Sequence, residues 1–265
     1  MAVRDEIRQQ RQKLKGQGFK AHWDYFWEYY KIHTIVAVVA IILVVTLIRD
    51  IANRKPYALY SLFVNNQGME TQLLLQDGFA EYAGIDTTAE NVLVDTSSNY
   101  IGSSIDQTTV ATSEKIMALI SASELDVFVS DLGTAYHYAS QETFMNLRDV
   151  FTKEELDAMS DRLFYVDQAY ADYLASEEYT DYITTGKFDE SNKYAVMADK
   201  YNNTFQYDEI SPSEMDDPVP VGIKLDNSKA LAEAQAYPGS TPVAAIVINT
   251  ERIDRSKQFI EYLMQ

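Results

Sequence analysis

Eight polar residues stand where short apolar runs end: Asn65, Asn66 and Gln67 after YALYSLFV, Thr96, Ser97 and Ser98 after NVLVD, and Ser130 and Asp131 after LDVFV. Amide, hydroxyl and carboxylate groups at strand ends can hydrogen-bond a polar small molecule. In open α/β sheets, ligands lie outside the carboxyl ends of the strands. Ser97, Ser98 or Ser130 near a helix start would also suit an anionic group. The same residue types cap helices and build turns, so each has a purely structural reading beside the functional one. As a cluster they are the candidate ligand-binding residues.

Catalysis finds less material. His137 is the one histidine beyond residue 48, and no G-x-S-x-G elbow, H-E-x-x-H, P-loop or G-x-G-x-x-G accompanies it. The chain has no cysteine, which removes disulfides, thiol nucleophiles, zinc–thiolate sites and iron–sulfur clusters together. Acidic groups at Asp216, Asp217 and Asp189–Asn192 lack the spaced calcium-loop pattern. Carboxylates are plentiful, yet no pair stands out for two-acid hydrolysis. The reading is non-enzymatic, with no cofactor and no metal.

A second group is aromatic. Tyr165, Tyr170, Tyr173 and Tyr179, followed by Tyr182, Tyr194, Tyr201 and Tyr207, crowd one acidic stretch. A phenol offers a flat apolar face and a polar tip, suited to stacking or to a protein interface, and equally to filling a small core.

The elements that must position these groups follow from periodicity. Tyr57–Val64, Asn91–Asp95 and Leu125–Val129 read as strands. Glu70–Tyr82, with Leu75, Phe79 and Tyr82, and Thr109–Ala122, with Val110, Ile116, Met117 and Ile120, read as helices between them. That alternation implies a parallel-rich sheet with flanking helices. Val243–Ile248 and the helix Ile253–Leu263, turning Phe259, Ile260 and Leu263 inward, return to the same sheet. Roughly Leu163–Ser211 is weakly periodic and reads as a second, smaller lobe.

Upstream, residues 32–48 (IHTIVAVVAIILVVTLI) carry no ionised side chain. At 1.5 Å rise per residue this is just long enough to cross a bilayer core of about 30 Å. Seven Lys/Arg against four acids in residues 1–31 place that flank in the cytoplasm by positive-inside counting. Residues 56–265 hold 12 basic and 35 acidic residues, a formal charge of −23, which suits the outer face and excludes nucleic acid as a partner. The long basic leader and the lack of a small-x-small site favour an uncleaved anchor. Phe19, Trp23, Phe26, Trp27 and Tyr30 share one helical face. They read as a membrane-interface belt on an amphipathic segment that turns into the span, or as a docking face for a membrane partner.

Four stretches carry a family resemblance: SLFVNNQGMETQLLLQDGFAEYAGID, TSEKIMALISASELDVFVSDLGTAYHYASQETFMNLRDVF, DDPVPVGIKLDNS and TPVAAIVINTERIDRSKQFIEYL. Their order resembles the type 2 periplasmic-binding-protein fold of extracellular solute-binding proteins. Membrane-anchored domains of this kind are also similar to proteins of Gram-positive anaerobes for which no ligand follows. The resemblance implies lobe 1 at 57–150 and 220–265, a small lobe 2 at 151–219, and hinge closure on a ligand. The expected organisation is a cytoplasmic segment 1–31, a transmembrane helix 32–48, a linker 49–56 and an extracellular α/β domain 57–265. Two functions fit: capture of a polar small molecule at a cell membrane, or a ligand-free scaffold contacting other membrane or envelope proteins.

Overall fold

The computed structural model describes residues 18–265 apart from Asn53, Ser104 and Ile105, and leaves the side chains of Ala21, His22, Tyr25 and Tyr29 undescribed. Five of the seven basic residues of the leader (Arg4, Arg8, Arg11, Lys13 and Lys15) lie outside the described residues. The chain divides into two units, one ending at Lys55 and one comprising Pro56–Gln265.

Among the described residues, the first unit holds the helix α1 (Phe19–Ala52), of 34 residues. Within it, Tyr30–Ala52 is long and apolar enough to cross a membrane. Its aliphatic side chains are exposed all round, Ile35, Leu43 and Ile48 each by more than half. Residues 19–31 of the expected amphipathic segment belong to this same helix. It continues into the apolar stretch without a break, because no Pro or Gly interrupts residues 19–52. Its aromatic face forms as spaced: Phe19 and Trp27 both stack on Trp23, and Phe26 stacks on Tyr30.

The second unit is a mixed α/β fold. Its helices and strands run β1 (Tyr57–Val64), α2 (Thr71–Tyr82), β2 (Asn91–Ser98), α3 (Gln107–Ser121), β3 (Val127–Asp131), α4 (Leu132–Ala139) and α5 (Lys153–Ala158). They continue with β4 (Leu163–Asp167), α6 (Gln168–Leu174), α7 (Glu177–Thr185), α8 (Lys193–Thr204), β5 (Pro218–Lys224), α9 (Lys229–Glu233), β6 (Pro242–Ile246) and α10 (Ile253–Leu263). The strands form one sheet in the order β2-β1-β3-β6-β5-β4. Its β2-β1-β3 part is parallel, and the β3-β6, β6-β5 and β5-β4 pairings are antiparallel. The sheet is therefore mixed rather than parallel-rich, since β6 returns against β3. Residues 151–219 contribute β4 to an edge of this sheet and stack α6, α7 and α8 beside it.

Period-two alternation splits the core into two layers. Leu59 and Phe63 of β1, Val127 and Val129 of β3, and Ile246 of β6 face Leu75 and Phe79 of α2 and Phe259, Ile260 and Leu263 of α10. Leu62 and Val64, Phe128, and Val243 and Ala245 face the other way, towards Ile116 of α3, Tyr136 and Tyr138 of α4, and Tyr170 and Tyr173 of α6. From β1 the chain moves to β2 on one side and then back across to β3. Right-handed crossovers in opposite directions place α2 and α3 on opposite faces.

Two helix faces differ from the periodicity. Val110 and Met117 of α3 are exposed, whereas Thr109, Thr112 and Ile116 are buried. Two threonines and one isoleucine make up the buried face of α3. On α2, Tyr82 is 43% exposed and rests against Tyr262 instead of entering the core.

Candidate functional site

The parallel strands reverse direction of winding between β1 and β3, the point where an open sheet offers a crevice to ligands. Here that crevice is closed by the protein's own groups. Asn65, at φ 62°, takes the left-handed conformation that asparagine tolerates. Its Nδ2 donates to Asp131 Oδ2 at 2.8 Å and to the Tyr100 carbonyl at 2.9 Å, and its Oδ1 accepts the Tyr100 N–H at 2.7 Å. Asp131 caps α4, accepting from the Thr134 N–H at 3.0 Å and the Thr134 hydroxyl at 2.9 Å. Behind them the buried Tyr237 hydroxyl sits within hydrogen-bond reach of the carbonyls of Val64 (2.8 Å) and Val129 (3.0 Å), tying β1 to β3.

The other sequence candidates go elsewhere. Thr96, Ser97 and Ser98 belong to β2, which runs three residues past the expected end, and Ser130 and Asp131 complete β3. Ser97 and Ser98 meet Lys115, whose Nζ donates to both hydroxyls at 3.1 Å and to Asp95 at 2.7 Å, beside an open depression. Burial raises the Asp95 pKa, but the bonds from Lys115 and Ser97 outweigh it and hold the carboxyl below its usual range. Ser130 is fully buried, and its hydroxyl bonds the Asp131 carbonyl at 3.0 Å. Asn66 donates to the Gly68 carbonyl and keeps a buried Oδ1 without a partner. Gln67 is exposed and bonds Ala236 only through its backbone. The structure thus joins Asn65 to Asp131 and Ser97 to Ser98, and does not gather the eight into one site.

Beside α4 lies a cavity of about 210 Å³ that none of the eight lines. Tyr136, His137, Ser140 and Gln141 of the α4 end form one wall; Tyr170 and Leu174 of α6, Tyr179 of α7, and Tyr201 and Asn202 of α8 form the rest. Its walls come from both the 57–150 segment and the 151–219 segment. Tyr136 and Tyr201 meet edge to face at 62°, and Tyr170 stacks on Tyr136 at 13°. His137 lies between the rings of Tyr100 and Tyr201. Its Nδ1 is 3.2 Å from the Tyr201 hydroxyl and its Nε2 3.0 Å from the Gln141 amide nitrogen.

Burial depresses the His137 pKa and favours the neutral imidazole. Burial raises the phenols of Tyr136, Tyr170 and Tyr201, so they stay protonated. Neighbouring carboxylates add to this, Asp167 at Tyr136 and Asp131 at Tyr201. Among the described residues, no lysine or arginine lines the cavity. The Ser140 hydroxyl, on a residue 5% exposed, makes no hydrogen bond, although it lies close enough to influence Tyr136.

The strand-end residues act on this cavity at one remove. Asn65 fixes the backbone of Tyr100, whose ring backs His137, and Asp131 starts the helix that carries Tyr136 and His137. The sequence contains a trace of the wall: Ser140 and Gln141 follow Tyr136 and His137 by one helical turn, which puts each pair on one side of α4. Asp126 leaves no such trace. Fully buried just before β3, it accepts from the Tyr60 N–H at 2.7 Å and Arg252 Nε at 2.8 Å and bonds the Thr250 hydroxyl. It locks the opposite end of the strands. Among the described residues, no group of three acidic or histidine side chains could hold a metal ion.

No family model and no curated protein matches the chain. Among solved structures, one described as the periplasmic binding protein P5PA is similar at 13% identity and a TM-score of 0.30, over 78% of this chain and 79% of its own.

Proposed function

We propose that residues 56–265 are a non-catalytic binding domain that captures a polar small molecule at a membrane, with α1 as its anchor. One observation carries the reading: a cavity walled by tyrosines, a neutral histidine and a few amide and hydroxyl groups, built between α4 and the helices α6 to α8. Mostly aromatic walls with a few placed polar groups are the usual make-up of a small-molecule site. His137 touches phenol and amide partners rather than a nucleophile or a carboxylate, which supports binding over catalysis.

The division expected between residues 57–150 with 220–265 and residues 151–219 is proposed as the line along which the cavity closes. The basic leader and the acidic domain support a cytoplasmic N-terminus and an extracellular C-terminal domain, crossed once by residues 32–48. A chain without cysteine allows a clean topology test. Single cysteines at Gln12 and Glu190 should react with a membrane-impermeant thiol reagent in intact cells only at position 190. Labelling at position 12 alone would reverse the orientation.

Binding is tested by thermal shift of the full chain in maltoside micelles against sugars, amino acids, peptides and organic cations. A selective, dose-dependent rise that disappears in Tyr201→Leu supports the cavity as the site. A rise that survives in that variant but disappears in Asn66→Ala/Gln67→Ala moves the site to the β1 end. The internal satisfaction of Asn65 and Asp131 favours a second reading, a ligand-free scaffold for other membrane or envelope proteins. Silence across the panel on a folded sample would support it.

A further inference from the structure

We propose that the cavity beside α4 takes a small organic ammonium cation of about the size of choline, held by ring faces rather than by an ion pair; this rests on the small-molecule reading above. The geometry points there first. Tyr201 and Tyr179 are the half-buried rings of the lining. Tyr136, at 62° to Tyr201, closes the corner with one face covered by Tyr207 at 4.0 Å, and the buried Tyr170 backs it. A flat sugar ring is served by a single platform, whereas a rounded methylated ammonium is served by rings that surround it. The volume of about 210 Å³ is below the usual range for drug-sized ligands and suits a compact group.

Polarity points the same way. A sugar needs many free hydrogen-bonding groups, but the Gln141 amide nitrogen already donates to the His137 carbonyl and the Asn202 amide nitrogen to the Tyr179 hydroxyl. Of the lining's buried polar atoms, only the Ser140 hydroxyl lacks a partner among the described residues. An anion would find no lysine or arginine in the lining and would enter a domain of formal charge −23. A cation gains from both facts, and from Asp131 and Asp167, whose fields reach Tyr201 and Tyr136. Burial keeps the imbedded imbalance favourable: His137 stays uncharged and the phenols keep their protons, so the rings act through their faces.

The test is isothermal titration of the full chain in maltoside micelles with choline and tetramethylammonium, beside 3,3-dimethylbutan-1-ol, the neutral counterpart of choline. Choline should bind at least about tenfold more tightly than the neutral alcohol, the order expected of a desolvated cation–π site. Tyr201→Phe, which keeps the ring, should retain choline binding within about threefold, and Tyr201→Leu should lose about tenfold or more. Asn202→Lys places a competing charge at the rim and should abolish choline binding while circular dichroism stays native. Equal binding of the alcohol, or capture of a sugar or amino acid that depends on Tyr201 while choline fails, overturns the cation and leaves small-molecule capture standing. Failure of every compound on a folded sample overturns both.

Discussion

The two faces of the sheet are built from different materials. One face packs Leu59, Phe63, Leu75, Phe79, Phe259 and Leu263, each almost fully buried, and its buried Tyr237 finds two carbonyls in reach of its hydroxyl. The other buries Tyr136, Tyr138, Tyr170 and Tyr173, leaves the hydroxyls of Tyr138, Tyr173 and Ser140 without hydrogen bonds, and holds a cavity. An unsatisfied buried hydroxyl costs about 1–3 kcal/mol. A face selected for stability alone would carry phenylalanine at those positions. The difference fits a hydrocarbon face that holds the fold and a tyrosine face that carries the proposed recognition.

The contrast is broken most severely on the hydrocarbon side. Phe79 is fully buried and meets Phe259 edge to face at 4.9 Å. Phe79→Ala should cost about 3–5 kcal/mol in denaturant unfolding. A loss below about 1 kcal/mol would remove the distinction between the faces, since that is the scale of a surface change.

Asp131 tests whether the strand-end residues serve the cavity through α4. Asp131→Ala removes a helix cap and the Asn65 bond and should destabilise by about 1–2 kcal/mol. It should also weaken ligand binding without touching the ligand. Full affinity in this variant would sever the proposed link between the β1–β3 crevice and the α4 wall.

Tyr173→Phe sharpens the comparison in the opposite direction. The Tyr173 hydroxyl is buried without a partner, so its removal should raise stability by about 1 kcal/mol. The Tyr237→Phe exchange on the other face removes the one hydroxyl proton within reach of the Val64 and Val129 carbonyls and should lower it by a similar amount. Equal signs for the two substitutions would refute the contrast.

The smallest effect is in pH. His137 has its pKa lowered in the folded chain from the ordinary 6.5, so between the two values the unfolded chain binds more protons. Stability is then fully present above 6.5 and falls as pH drops through 6.5 towards the folded value. Asp95, with its carboxyl held low, loses its own contribution only at more acidic pH, as the carboxylate protonates. His137→Gln should flatten the melting temperature across the first of these windows and leave the second unchanged. A wild-type curve that is already flat there would show that His137 is not buried in solution.

Much of the architecture is written locally. YALYSLFV is β1 to the residue, Ile253–Leu263 is α10, and Phe259, Ile260 and Leu263 turn inward as spaced. The faces of α3 are not, because which side of a helix meets the sheet depends on how closely it packs, and Thr109 and Thr112 serve as contacts that hydrophobic patterning passes over. Of the strand-end candidates, Asn65 and Asp131 are brought together, but as each other's partners. A side chain that can bond a ligand can equally bond a residue 66 positions away, and nothing in its neighbours tells which.

By itself, then, the sequence determined the long apolar helix, the order of strands and helices through β3, the closing strand and helix, and the acidity of the domain. Each is a property of adjacent residues, fixed by backbone geometry and side-chain polarity. Tertiary structure alone decided that β6 runs against β3, that Asp126 meets Arg252 across 126 positions, and that Tyr136, Tyr170 and Tyr201 share one cavity. Those depend on strand order and on contacts between distant segments, whose register is set when the layers pack and leaves no mark on the local pattern.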